Sequence, residues 1–186
     1  SEGSYYADEA SDKIYWKPLG GKVDGKSTTI NSSFAINING LSWVKVTNLK
    51  LLFTRINIGT STGTSSYIWL DRLTSDYSLG NSIQIRALQD AVGYPNHHIR
   101  ISYCRISHAR NGIYSIGQYE AFDNDYVTID HNIITDMSGS ADAHCIGFQG
   151  GDNHIIEYND LSYCNTGITM FSSTNQSMNN NIIRYN

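Results

Sequence analysis

The chain repeats one short pattern about every 27 residues. Each copy has two residues, usually apolar, separated by one variable residue; two further residues and then an Asn or Cys follow. In the four clearest copies this last residue recurs at intervals of 28, 27 and 27 positions, at Cys104, Asn132, Asn159 and Asn186. A fixed period of this length is typical of solenoid proteins. Because the apolar residues alternate with a period of two rather than 3.6, each repeat is predicted to consist of short strands.

Short strands at this period predict an all-β fold, a parallel β-helix (solenoid) of about six coils. One coil has an apolar inner face but no partner that covers it. Coils that stack at about 4.8 Å satisfy each other's backbone groups and close an apolar column. Asn tolerates left-handed backbone and hydrogen-bonds locally, so we expect Asn132, Asn159 and Asn186 to form a ladder at one corner.

The pattern divides the chain into two parts. Residues 1–40 do not repeat, and Ser4–Glu9 and Lys13–Trp16 are predicted to be two short strands around a turn. Residues 41–186 hold the coils. The last coil stops at Asn186, directly after a corner position. An open coil end is an exposed sheet edge, so we expect further coils or a partner chain to cover it.

Composition excludes several classes of function. The net charge of −4 gives no broad basic surface for nucleic acid. The chain contains no run of 18 apolar residues, so no membrane-spanning segment is predicted. The three cysteines, Cys104, Cys145 and Cys164, lack CxxC spacing, so no zinc site is predicted. We expect them to be small buried residues of the stack, with a disulfide between neighbouring coils as the open alternative.

Two repeat segments and the N-terminal segment resemble a known superfamily. Asn124–Asn132 (NDYVTIDHN), Asn153–Asn159 (NHIIEYN), and Tyr5–Glu9 followed by Ile14–Pro18 are similar to bacterial right-handed parallel β-helix proteins of the pectate-lyase-like superfamily. The resemblance covers nearly the whole chain and implies a right-handed β-helix, a secreted or cell-surface location and a polysaccharide partner. The superfamily includes lyases, hydrolases, epimerases, adhesins and phage tailspikes, so the reaction has to be argued from the site.

A groove for an extended polymer is predicted on one sheet. If Ile113, Ile146 and Ile168 are aligned as inward residues, alternate residues of the same strands point outward. Outward aromatic rings can stack on the apolar C–H faces of sugars. The predicted substrate-binding residues are Asn111, Tyr114, Gln149, Asn165 and Phe171.

The predicted catalytic residues are Asp142, His144 and Arg110, which precede these strands in successive coils. A carboxylate, an imidazole and a guanidinium in one column can act as base or acid and as a clamp on an anion. The segment Ala141–Ile146 also resembles the place where polygalacturonase-type members carry two adjacent Asp residues. Only Asp142 matches. Glycoside hydrolysis uses two carboxyl groups, and the candidates for the second are Glu120, Asp123, Asp125 and Asp136.

Elimination by a polysaccharide lyase is the other catalytic route. It needs a base beside a uronate carboxylate that Arg or Ca²⁺ neutralises, and His144 and Arg110 are suitable residue types. Asp136, Asp142 and Asp152 have the hard oxygen ligands that Ca²⁺ takes; no other cofactor and no defined metal site is predicted. The alternative function is non-catalytic, with the chain a glycan-binding or structural β-helix module of the adhesin or tailspike kind, in which Asp142 forms a turn and His144 is a surface residue.

Overall fold

The computed structural model describes residues 34–59, 63–87, 95–117, 123–138, 143–172 and 176–186, together with two strands near the N-terminus. The chain forms two compact units, Ser1–Asn31 and Ser32–Asn186. In the first unit, β1 (Tyr5–Asp8) pairs antiparallel with β2 (Lys13–Trp16). These are the two strands that the sequence predicts there, and that prediction is confirmed.

The second unit consists of three parallel sheets, and no helix occurs among its described residues. The first sheet contains β4 (Ser42–Thr47), β7 (Ser66–Asp71), β10 (His97–Ser102), β13 (Asp125–Asp130), β16 (Ile155–Glu157) and β19 (Ile182–Arg184). The second contains β5 (Lys50–Leu52), β8 (Thr74–Asp76), β11 (Arg105–Ala109), β14 (Ile133–Met137) and β17 (Asp160–Cys164). The third contains β3 (Phe34–Ile38), β6 (Arg55–Ile58), β9 (Asn81–Arg86), β12 (Asn111–Ile116), β15 (His144–Gln149) and β18 (Thr166–Phe171).

This arrangement is a parallel β-helix, as predicted. The chain visits the three sheets in the same order five times, from β4–β5–β6 to β16–β17–β18, with β3 before and β19 after these sets. The number of complete turns is therefore slightly smaller than the six predicted. No helix in the described part of the chain is long and apolar enough to cross a membrane.

Apolar residues of successive turns stack inside the solenoid. On the third sheet, Ile56, Ile83, Ile113 and Ile146 occupy one register position and are fully buried. β-Branched side chains suit this position because they pack well on a pleated surface. Burial of one such side chain stabilises the fold by about 1.5–3 kcal/mol.

The predicted asparagine ladder is present. Oδ1 of Asn159 accepts hydrogen bonds from the backbone N–H and from Nδ2 of Asn132, at 3.0 and 2.9 Å. Oδ1 of Asn186 does the same for Asn159, at 3.1 and 2.8 Å. Cys104 begins the ladder, because its backbone N–H donates to Oδ1 of Asn132 at 2.9 Å. Asn132 and Asn159 are buried, so each turn supplies the polar partners of the next.

The sequence analysis explained these asparagines by their tolerance of left-handed backbone, and that explanation is wrong. The left-handed residue is the one before each of them: His131, Tyr158 and Tyr185 have φ of 55°, 55° and 56°. Left-handed backbone turns the chain at the corner and lets the following asparagine point inward.

Left-handed residues recur five positions apart and form three corner columns. In the turn that contains β7 and β8 they are Tyr67, Arg72 and Tyr77. The first column is Trp43, Tyr67, His98, Tyr126, Asn153 and Asn180; the second is Asn48, Arg72, Tyr103, His131, Tyr158 and Tyr185; the third is Phe53, Tyr77, His108, Asp136 and Tyr163.

Aromatic stacking within these columns offsets the strain of their backbone. Ring centroids of Trp43 and Tyr67 are 4.1 Å apart, and those of Tyr158 and Tyr185 are 5.0 Å apart, with interplanar angles of 2° and 18°. A left-handed conformation costs a non-glycine residue about 1–2 kcal/mol. An aromatic pair contributes about 0.5–1.5 kcal/mol beyond its buried area, so the two terms are of similar size.

A disulfide also joins successive turns. Cys145 on β15 and Cys164 on β17 are linked, with their Cα atoms 5.7 Å apart. This is the alternative that the sequence left open. Cys104 is a free, buried cysteine, and burial raises the pKa of its thiol to about 12.

Replacement of Asn159 with Ala is expected to lower the free energy of unfolding by about 2–4 kcal/mol. The substitution leaves buried donors of Asn132 without an acceptor, and each buried polar group without a partner costs about 1–3 kcal/mol. Urea unfolding followed by circular dichroism measures the loss. The matched control is Asn179→Ala, because Asn179 is exposed and its side chain makes one hydrogen bond, of 3.4 Å, with the described part of the chain. Equal losses in the two variants would contradict a stabilising ladder.

Candidate functional site

A depression of about 520 Å³ lies on the outer face of the third sheet and crosses four successive turns. We call it the third-sheet depression. Five residues predicted from the sequence line it: Arg110, Asn111, Tyr114, His144 and Phe171. Asn81, Ile116 and Thr169 complete its lining. Thr169 was not among the predicted binding residues, although it follows the inward residue Ile168 and so belongs to the outward set.

The register of the third sheet brings these residues together. Ile113 pairs with Ile146, and Ile146 pairs with Ile168, as the sequence alignment assumed. Ile113 and Ile146 are buried and Ile168 packs against the core. The intervening side chains therefore face outward on neighbouring turns, about one strand spacing of 4.8 Å apart.

Asn111 links the floor of the depression to the neighbouring turns. It is 6% exposed. Its Oδ1 accepts a hydrogen bond from the backbone N–H of His144 at 2.8 Å, and its Nδ2 donates to Oδ1 of Asn81 at 2.8 Å. These bonds fix the start of β15 above the start of β12. Asn111 thus supports the position of His144.

The imidazole of His144 is held on two sides. Its Nδ1 lies 2.9 Å from the hydroxyl oxygen of Thr169, one turn later. Its ring stacks on Tyr114 of the preceding turn, with centroids 5.9 Å apart and an interplanar angle of 18°. Histidine can transfer protons near neutral pH, and a fixed ring orientation favours such a role.

Arg110 forms the border between two depressions. It is exposed and directly precedes β12. It also lines a second depression, of about 460 Å³, with Tyr77, His108 and Ser138. Among the described residues, no carboxylate lies within salt-bridge distance of Arg110. A guanidinium can bind a carboxylate or sulfate group with two parallel hydrogen bonds.

The remaining predicted site residues lie outside this lining or outside the described residues. Gln149 is half-buried and pairs in register with Phe171. Asn165 is exposed and lies directly before β18. Asp142 falls outside the described residues. The roles assigned to Asp142, His144 and Arg110 in catalysis stay predictions.

Of the residues considered for a second acid or for calcium, Glu120 is also outside the described part of the chain. Asp136 belongs to the third corner column, and its carboxylate accepts a hydrogen bond from Thr135. Asp123 lies close to Gly117 and Gly150, which follow β12 and β15. It is therefore at the opposite end of these strands from Arg110. No group of three or more His, Cys, Asp or Glu that could hold a metal occurs among the described residues.

Asp123 is a buried carboxylic acid. It is 5% exposed, its Oδ1 accepts a hydrogen bond from Gln176 at 2.7 Å, and its buried Oδ2 has no hydrogen-bond partner among the described residues. Burial, together with the smaller effect of the nearby charges of Asp125 and Asp152, raises the pKa of Asp123 from 3.8 to about 6. Folding therefore favours the protonated acid. This contribution to stability is fully present below about pH 3.8 and is lost as the pH rises through about 6.

The neutral variant Asp123→Asn should be more stable than the wild type at neutral pH, by about 1–3 kcal/mol. It should also lose the part of the pH dependence that lies between the two pKa values. Urea unfolding at several pH values from mildly acidic to neutral tests this. Asp160→Asn, at an exposed position on β17, is the control and should keep the wild-type pH dependence. Wild-type pH dependence in Asp123→Asn as well would contradict the expectation.

The chain matches no protein-family model, no curated protein and no solved structure. The parallel β-helix is therefore shown by the structure alone. None of these comparisons supports the resemblance to the pectate-lyase-like superfamily, which stays a prediction from the sequence.

Proposed function

We propose that the chain binds an extended, acidic polysaccharide in the third-sheet depression, as a β-helix protein of the pectate-lyase-like type. One observation carries this proposal: Arg110 and the aromatic ring of Phe171 line the same open depression, at positions two turns apart. A cation that recognises an acidic group and a ring that stacks on a sugar face are the two contacts that such a ligand needs.

Phe171 is suited to sugar stacking, because no ring of another described residue covers its faces. The side chain is 39% exposed, and it makes no ring contact with the other described residues. The corner columns differ in this respect. Each inner ring of a column, such as Tyr67 between Trp43 and His98, has a neighbour on both faces. Rings of that kind expose mainly their edges, so they contribute to the scaffold rather than to ligand binding.

The charge of the depression favours an acidic ligand over a neutral one. Its described lining contains Arg110 and His144 and no Asp or Glu. Arginine can bind a carboxylate with two parallel hydrogen bonds. A uronate-containing chain fits this surface, and a secreted or cell-surface location fits such a ligand.

Cleavage by β-elimination is a second candidate function, favoured by the position of His144 beside Arg110 in one depression. In this step a base removes the proton next to the uronate carboxylate, and the guanidinium stabilises the charge that develops. The electron pair forms a carbon–carbon double bond, the glycosidic C–O bond breaks, and the leaving oxygen takes a proton. Hydrolysis would use two carboxyl groups, and two of the candidate acids, Glu120 and Asp142, lie outside the described residues.

Arg110→Ala is expected to weaken the binding of polygalacturonate by about tenfold or more, because a hydrogen bond to a charged group contributes about 1.5–3 kcal/mol. It should also reduce the salt dependence of binding. Isothermal titration calorimetry, with neutral xylan as the comparison ligand, measures both effects. The matched control is Arg105→Ala, because Arg105 is exposed on β11 of the second sheet. Similar affinities for Arg110→Ala and the wild type, or equal binding of xylan, would contradict the proposed site.

If the chain is a lyase, wild-type protein should produce an unsaturated product that absorbs in the ultraviolet, and His144→Ala should abolish its formation while polymer binding, although weaker, stays measurable. His97→Ala, on the first sheet, is the control and should keep the activity. New reducing ends without ultraviolet absorbance would indicate hydrolysis instead. Binding without any turnover would leave the adhesin-like or tailspike-like alternative as the function.

A further inference from the structure

The space beside Gly147 is filled by a side chain from the preceding turn. A Cβ atom at Gly147 would lie 2.5 Å from Cδ2 and 2.6 Å from Cε2 of Tyr114, and 3.5 Å from Cδ2 of His144. Carbon atoms in contact are usually about 3.5–4.0 Å apart, where their attraction is greatest. The first two distances are far shorter, so an added Cβ would clash with the Tyr114 ring. Since Gly147 pairs with Tyr114 in register, the Tyr114 ring extends across the next turn.

The need for glycine here comes from space and not from backbone conformation. Gly147 is not among the glycines with positive φ, so alanine could adopt its backbone conformation. At the same register position, the turns on either side carry the side chains of Tyr114 and Thr169. Gly147 has no side chain at this position of the column. The Tyr114 ring lies in the space that is left and stacks on His144.

We propose that Gly147 is a positioning residue of the third-sheet depression. Its missing side chain lets Tyr114 lie against His144, and this placement sets the shape of the surface that the ligand meets. The part of this inference that concerns ligand binding rests on the proposed function. The part that concerns Tyr114 and His144 does not.

The test compares Gly147→Ala with Gly167→Ala, each alone and in a Tyr114→Ala background. Gly167 is the matched control, because it lies on β18 of the same sheet and a Cβ there would meet nothing within 4 Å. Three properties are measured: the His144 ring-proton resonances by NMR, the melting temperature, and the affinity for polygalacturonate.

Gly147→Ala should shift the His144 ring resonances, lower the melting temperature by roughly 2–4 °C and weaken polygalacturonate binding roughly tenfold. Gly167→Ala should change none of these. In the Tyr114→Ala background, Gly147→Ala should no longer lower the melting temperature, because the ring that it displaces is gone.

Unchanged His144 resonances in Gly147→Ala would overturn the inference. So would an equal decrease of the melting temperature by Gly147→Ala in the wild-type and Tyr114→Ala backgrounds. Absence of polygalacturonate binding by the wild type would instead overturn the proposed function. In that case the resonances and the two melting temperatures still decide whether Gly147 positions Tyr114.

Discussion

The hydrogen bonds of the buried asparagine ladder fix how one turn lies on the next. Asn132 and Asn159 are almost completely buried, so their amide groups depend on the neighbouring turns for partners. A shift of one residue in register would leave these groups unpaired, at about 1–3 kcal/mol for each, and would also turn the isoleucine columns outward. The ladder and the apolar core therefore specify the same register. That register places Arg110, His144 and Phe171 on one outer face.

The corner columns show how a solenoid can turn sharply with few glycines at its corners. Each turn contains left-handed residues five positions apart, and many of them are aromatic or His. Left-handed backbone is unfavourable for such residues in isolation. Repetition at the inter-strand spacing changes this balance, because that spacing of about 4.8 Å is also a suitable distance for stacked rings. The centroid distance of 4.8 Å between Tyr67 and His98 is one example. The exposed tyrosines that stack in these columns are thus explained without a ligand.

Much of this architecture is predictable from the sequence, because it depends on period. The spacing of the asparagines predicts the ladder, and the alternation of residues around Ile113, Ile146 and Ile168 predicts which face of each strand points inward. The left-handed residues were missed, although the five-residue spacing of Tyr67, Arg72 and Tyr77 was visible; without a structure, nothing indicates that such bulky residues would take this conformation. The clustering of Arg110 and His144 followed from the register. The contact between Tyr114 and Gly147 did not, because it depends on the direction and reach of one side chain across a turn.

The scaffold and the candidate site follow opposite rules. Like residues stack in the asparagine ladder and in the column of Tyr103, His131 and Tyr158. There the polar groups and ring faces of one turn contact those of the next, so few of them remain for a ligand. The third-sheet depression lies where this repetition fails. In its central column a tyrosine is followed by a glycine and then by a threonine, and the difference in side-chain size creates relief on an otherwise regular surface. This relief gives a ligand a defined place along the axis, whereas a run of identical turns would offer the same contacts at every step.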